Sequence, residues 1–339
     1  MKLFKKTVAV AAVAAMALSV VACGGNGGAA ASSSAAASTT ASSAAGKKFT
    51  VGICQLVQHE ALDAATKGFR EALEAELGKD NVTFDEQNAQ GDANTCSTII
   101  NGLVNKKVDL IMANATPALQ AAQAGTNTIP VLGTSITEYG VALDIKDFKG
   151  LVGTNISGTS DLAPLKDQAA MIKEVCPDTK NVAIIYCSAE ANSKYQADTI
   201  AEDLKALGIE STITTFSDSN DLAGVVDKVL GTNPDAIYVP TDNTVASNTE
   251  ILNSKALAKK VPVFAGEEGI CKGCGIATLS ISYYDLGVAT GKMAAKILKG
   301  ESKVAEMPIE YAAKVTKKYN KDVADKLGIK VPEGYEEIK

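Results

Sequence analysis

The chain has 339 residues, 46% of them hydrophobic and 21% charged, an ordinary globular composition that excludes a disordered or collagen-like protein. It carries 33 Lys plus Arg against 39 Asp plus Glu, a formal charge of −6, and no basic run longer than two residues, so it lacks the footprint that nucleic acid requires. A single histidine excludes a multi-histidine metal site, and the absence of tryptophan excludes a tryptophan platform for a sugar ring.

At the start of the chain, Lys2, Lys5 and Lys6 precede an apolar stretch from Thr7 to Val21. This pattern predicts a secretory signal peptide over residues 1–22. The competing reading is a membrane anchor, for which the stretch is short. Val20-Val21-Ala22-Cys23 resembles the lipobox of bacterial lipoproteins, which implies cleavage before Cys23 and lipidation of its thiol. That cleavage removes three lysines and no acid, leaving 30 basic and 39 acidic side chains and a formal charge of −9. Residues 24–46 are nearly all Gly, Ala, Ser and Thr, so residues 23–46 form a flexible tether. Two acyl chains hold a protein firmly at a membrane. The folded part, from about Lys47, is therefore expected outside the cytoplasm, anchored to the outer face of the cell membrane, or in the periplasm if there is an outer membrane.

From Lys47 the pattern alternates strand and helix. Strands are expected at Phe49–Cys54, Val82–Glu86, Val108–Met112 and Ile129–Leu132, with helices over Leu62–Leu77, Ala93–Asn105 and from Pro117. The order then repeats: strands at Asn181–Cys187, Ser211–Phe216, Asp235–Val239 and Val261–Phe264, with helices over Tyr195–Leu207, Leu222–Leu230 and Ala246–Leu257. Val108-Asp-Leu-Ile-Met-Ala-Asn-Ala-Thr116 reads like Pro234-Asp-Ala-Ile-Tyr-Val-Pro-Thr-Asp242, an offset of about 130 residues, which is a domain duplication. The fold class is α/β, with two doubly wound lobes of parallel sheet.

Ligands of open α/β sheets sit beyond the carboxyl ends of the strands. In the first half these ends carry Gln55 to Glu60, Asn114 to Pro117 and Gly133 to Thr137; in the second, Ser188 to Ser193, Thr241 to Thr244 and Gly266 to Gly269. Helix capping explains several of these small polar residues, but not the gathering of Glu190, Asp242, Glu267 and Glu268 in one half. No dinucleotide or phosphate loop is present, no Gly-x-Ser-x-Gly elbow, and His59 comes too early for a hydrolase triad, so an enzyme is not expected. No cofactor or metal is expected either, because Cys271-Lys-Gly-Cys274 stands without a second ligand pair. Beyond Cys23, the six cysteines 54, 96, 176, 187, 271 and 274 permit either disulfides or free thiols. A zwitterion suits the cleft. Hydroxyls and amides at helix starts (Thr116, Ser188, Asn192, Ser193) would meet a carboxylate, while Asp242 and Glu267 would face an ammonium.

Several stretches resemble the substrate-binding lipoproteins of ABC transporters with the type I periplasmic-binding fold, within them the subgroup associated with tryptophan and tyrosine uptake. They are Val51-Gly-Ile-Cys-Gln-Leu-Val-Gln-His-Glu-Ala-Leu-Asp63, Asn88-Ala-Gln-Gly-Asp92, Ala113-Asn-Ala-Thr-Pro117, Gly133-Thr-Ser135, Val239-Pro-Thr-Asp-Asn243, Gly266-Glu-Glu268 and Tyr283-Tyr-Asp-Leu-Gly287. The resemblance implies three crossings between lobes, near Ser157, Ser282 and Pro308. The lobes would then be 47–157 plus 283–308 and 158–282 plus 309–339, with a last strand at Ile309–Val315 joining the second. It also implies a monomeric receptor that closes on an amino acid, probed by Gln55, His59, Thr116, Pro117, Thr134, Ser188, Glu190, Asn192, Ser193, Asp242, Asn243 and Glu267, and serves an ABC permease and ATPase. His59 would stack on an aromatic ring or hydrogen-bond to a hydroxyl, with Tyr139 and Tyr283 as possible walls. Branched-chain amino acids, a nucleoside, and a surface adhesin or sensor are the alternatives.

Overall fold

The computed structural model describes residues 47–339. The signal peptide, the lipidation of Cys23 and the tether lie outside these residues. The first lobe opens with β1 (Phe49–Gln55), α1 (Glu60–Leu77), β2 (Val82–Asn88), α2 (Ala93–Asn105), β3 (Leu110–Asn114), α3 (Thr116–Gly125), β4 (Val131–Ile136), α4 (Tyr139–Ala142) and β5 (Ile156–Ser160). The second contains α5 (Leu165–Val175), β6 (Asn181–Cys187), α6 (Ala191–Ala206), β7 (Glu210–Phe216), α7 (Ser219–Leu230), β8 (Ala236–Val239), α8 (Asn243–Ala246), α9 (Thr249–Lys259), β9 (Val263–Ala265), α10 (Glu268–Cys274) and β10 (Ala277–Ser280). The chain closes with α11 (Tyr283–Lys299), β11 (Glu310–Tyr311), β12 (Thr316–Tyr319), α12 (Lys321–Leu327) and β13 (Glu336–Glu337).

The strands form two sheets, ordered β11-β5-β4-β3-β1-β2 and β13-β12-β10-β9-β8-β6-β7. Each sheet is covered on both faces, which is why central strands such as β1, β3 and β8 are apolar almost throughout. The two faces of the first sheet bury Leu103, Ile111 and Leu119 on one side and Val51, Phe69 and Met112 on the other. Ile172, Ile184 and Tyr238 pack against one face of the second sheet, and Ile185, Leu222 and Val263 against the other. No described helix is long and apolar enough to cross a membrane.

The chain moves between the sheets three times: after β5, after β10 and after β11. The second move carries α11 back onto α1, where the backbones almost touch. A Cβ on Gly68 would lie 2.2 Å from the Tyr284 carbonyl oxygen, and one on Gly287 would lie 2.0 Å from that of Ala65. The helix returned from the hinge is thus seated backbone to backbone on the helix that leads out of the cleft.

Two expectations are corrected. The segment Ile309–Val315 does not join the second sheet as a strand. Glu310 pairs in parallel with Thr159 and Tyr311 with Ser160, and the buried Ile309 donates its amide to the Gly150 carbonyl 2.8 Å away, so β11 stays on the first sheet. The strand added to the second sheet is Thr316–Tyr319, antiparallel to β10. The first sheet also continues past Ser157 to Ser160, because β5 pairs with β4 and its Ser157 hydroxyl is tied to the Met307 carbonyl at 2.8 Å.

Candidate functional site

Between the lobes lies a small polar cavity. Its first-lobe wall is His59 and Leu62 at the start of α1 and Ser135 of β4. Asn192, Thr241, Asp242, Asn243, Ala246 and Glu267 form the second-lobe wall, and Asp161 and Tyr283 close it at the hinge. Its volume of about 10 Å³ holds roughly one water-sized group. The lobes touch around it. His59 Nε2 and Asn243 Oδ1 are 3.1 Å apart, the Thr137 and Thr241 hydroxyls 3.3 Å, and Lys272 reaches Glu60 at 3.1 Å.

The second-lobe wall is built from helix starts. Asp242 precedes α8 and accepts the Val245 amide at 2.9 Å with one oxygen and the Cys187 amide at 2.7 Å with the other. Burial, reinforced by nearby Glu190, pushes its carboxyl up to about 8. Glu267 caps α10 through the Gly269 amide at 2.6 Å and the Ile270 amide, and burial pushes it up to about 7. Glu190 lies behind this wall, accepting the Asn243 amide at 3.0 Å and the Thr244 amide at 2.9 Å, so its charge supports the turn. Asn192 donates to the Thr241 carbonyl at 2.9 Å, and its Oδ1 is buried without a partner. Ser193 is buried beside Asn192 at 3.3 Å and outside the cavity lining. Ser188 is exposed and spends its hydroxyl on the Phe216 carbonyl at 3.1 Å.

The first lobe behaves differently. Gln55 accepts from Thr66 at 2.6 Å and donates to Asp63 at 2.7 Å, a network that turns it away from the cavity. Thr116 and Pro117 open α3 and are buried but do not line the cavity. The Thr134 hydroxyl lies 3.3 Å from that of Thr159, which lies 3.0 Å from that of Thr290, forming a thread beneath α11. Tyr139 is buried under β5 and donates to the Thr159 carbonyl at 3.1 Å. The six described cysteines are free, and none lines the cavity.

Of the polar lining residues, Ser135 falls within a strand end read from the sequence without being chosen as a site residue, and Asp161 falls outside every one. The register between β4 and β5 shifts between Gly133 and Ile136, and Ser135 adopts a left-handed φ of 56°. This bulge presents Ser135 instead of Thr134, as bulges beside sites commonly do. Asp161 directly follows β5, whose Ile-Ser-Gly-Thr-Ser sequence holds one large apolar residue and gives little strand signal. The Asp161 carboxyl accepts from the Tyr283 phenol at 2.9 Å on Oδ2, while Oδ1 is buried without a partner. Burial raises the Asp161 carboxyl and pushes the Tyr283 phenol well above its usual range. Among the described residues no lysine or arginine pairs with Asp161, Asp242 or Glu267. Burial lowers the imidazole of His59, which favours its neutral form, against the opposing pull of Asn243, Glu190 and Asp63. The arrangement is a closed, acid-rich pocket suited to a compact cation-bearing solute.

Comparison with known proteins agrees. Residues 50–336 match the family described as ABC transporter substrate binding protein. The chain is 36% identical over 265 residues to the tyrosine-binding protein of Clostridioides difficile, covering 78% of this chain and 76% of that one. It is similar to the ABC domain from Streptococcus pneumoniae solved in complex with L-Trp, at 33% identity and a TM-score of 0.81, covering 86% of this chain and all of that one. A substrate-binding protein with adhesive properties from Clostridium difficile, solved ligand-free and open, shares more identity, 36%, over 86% of this chain and 99% of that one, yet gives a TM-score of only 0.65. The better fit to the less identical complex matches the contact between lobes seen here. The chain belongs to the ABC transporter substrate-binding protein family, a two-lobed extracytoplasmic receptor that presents a small solute to its transporter.

Proposed function

We propose that the solute is an aromatic amino acid, captured by lobe closure and released to a permease driven by an ATPase. The observation that carries this reading is the cavity itself: Asp161, Asp242 and Glu267 are buried together with no cation beside them. Buried carboxylates demand a cationic partner or a proton, and an α-ammonium supplies one. The aromatic class is supported by two relatives above 30% identity, one named for tyrosine and one holding L-Trp. Room for a side chain lies next door. A groove of about 590 Å³ along the hinge shares Glu267 and Tyr283 with the cavity and is walled by Ala61, Ile281 and Leu286. The reading includes a monomer, held to the membrane by a lipid on Cys23 after removal of residues 1–22.

A thermal-shift panel tests it. Tryptophan, tyrosine or phenylalanine at a hundred times its Kd should stabilise the protein by about 2.7 kcal/mol. A shift with leucine or guanosine alone would refute the aromatic class. The adhesive properties of one Clostridium difficile relative favour a second reading, presentation of the lobes to a protein partner, which predicts no shift with any small solute.

A further inference from the structure

We propose that Asp161, Asn192 and Ser135 form a three-acceptor cage for the ligand's ammonium group, with Asp161 as its counter-charge. The hinge and both lobes each supply one arm. This rests on the amino-acid reading and names the atoms that make it selective.

Three residues that line this cavity each carry a buried side-chain oxygen without a hydrogen-bond partner: Asp161 Oδ1, Asn192 Oδ1 and Ser135 Oγ. All belong to residues at most 6% exposed. A buried polar atom left unpaired costs on the order of 1–3 kcal/mol, so three on residues that line one small cavity point to a ligand that donates to them. An ammonium carries three N–H donors and no acceptor, which matches the set. It is also of water size, which matches the cavity's volume of about 10 Å³.

The other acids are occupied. Both oxygens of Asp242 face backbone amides, as do those of Glu267, while Glu190 holds the Asn243–Thr244 turn. Among these acids only Asp161 has an oxygen, Oδ1, with no partner within hydrogen-bond geometry; its other oxygen accepts from the Tyr283 phenol, and the nearby Thr137 hydroxyl also favours the carboxylate. Asp161 begins the first crossing and Tyr283 ends the second, so the pair ties two hinge segments together at the point where the ammonium binds. Ser135 comes from the first lobe and Asn192 from the second. A primary ammonium can therefore satisfy all three arms only when the lobes are closed, and a solute lacking that charge leaves them unpaired.

Calorimetry tests this with two probes: the aromatic amino acid that binds best, and the same acid with hydrogen in place of the ammonium. The wild type should strongly prefer the amino acid. Asp161→Asn should weaken the amino acid by roughly 30- to 1,000-fold and change the deaminated acid by no more than a few-fold. Ser135→Ala, which leaves the buried acid in place, should weaken the amino acid alone by about 3- to 10-fold. Unchanged amino-acid affinity in both variants, or equal losses for both probes, would overturn the cage. A wild type that binds no aromatic amino acid would instead overturn the proposed function. Leucine and its deaminated analogue then serve as the probe pair, and failure to bind leucine as well would overturn the cage too.

Discussion

The two lobes repeat one strand-helix order but use their strand ends in opposite ways. In the first lobe most polar side chains there bond to one another, Gln55 with Thr66 and Asp63, Asn114 with Thr66, and Thr134 with Thr159, while Ser135 Oγ and Asn114 Oδ1 stay unpartnered. In the second lobe, the acids at the ends cap short helices while still facing the cavity, as Asp242 and Glu267 do. A duplicated scaffold thus yields one neutral wall and one acidic wall. The difference teaches that helix amino termini can hold acids at a buried cavity wall by donating their free backbone amides to them.

The contrast can be broken most forcefully through stability. Asp242→Ala strands the Cys187 and Val245 amides and removes a helix cap, and should cost about 3 kcal/mol in urea unfolding. Thr134→Val in the neutral wall keeps the shape, and should cost about 1 kcal/mol with ligand affinity unchanged. Equal costs at the two positions would erase the distinction between the walls.

The acidic wall also predicts a proton signature. The carboxyls of Asp161, Asp242 and Glu267 are raised in the closed structure, so their contribution to it is fully present below about pH 4 and is lost as pH rises, through about 7 for Glu267 and about 8 for Asp242. An arriving ammonium favours their ionised forms. Binding near pH 6.5 should therefore release protons, seen as a dependence of the calorimetric heat on buffer ionisation. Affinity should rise as pH goes from about 5 to 8. His59 acts in the same direction. Its lowered imidazole supports closure above its ordinary pKa of about 6.5, and this support is lost as pH falls through that value towards the lowered one. Heat independent of buffer would contradict an acidic wall that responds to charge.

A smaller effect concerns the contact across the cleft mouth. His59→Ala removes the 3.1 Å bond to Asn243 and should loosen the closed form by about 1 kcal/mol, a several-fold loss of affinity read by calorimetry. No loss would mean that the His59–Asn243 contact does not help hold the lobes closed.

Much of the fold was legible because apolar periodicity is written into it. The helix Ala93–Asn105 and the strand Asn181–Cys187 have the bounds that their patterns predict. β5 and β10 were not legible, because Ile-Ser-Gly-Thr-Ser and Ala-Thr-Leu-Ser alternate weakly and are held by neighbouring strands. Strand ends pointed to His59, Asn192, Asp242, Asn243 and Glu267, which the structure gathers at one cavity. The same logic pointed to Gln55 and Thr134, whose side chains are taken up by local networks. Ser135 stood within a strand end read from the sequence, but its selection over Thr134 depends on a bulge, and Asp161 follows a strand that the pattern does not reveal.

The most direct measurement is a crystal structure of the protein with the aromatic amino acid that binds best. The account predicts closed lobes, with the ammonium nitrogen within hydrogen-bond distance of Asp161 Oδ1, Asn192 Oδ1 and Ser135 Oγ. An ammonium placed away from Asp161, or a solute bound outside the cleft, would contradict it.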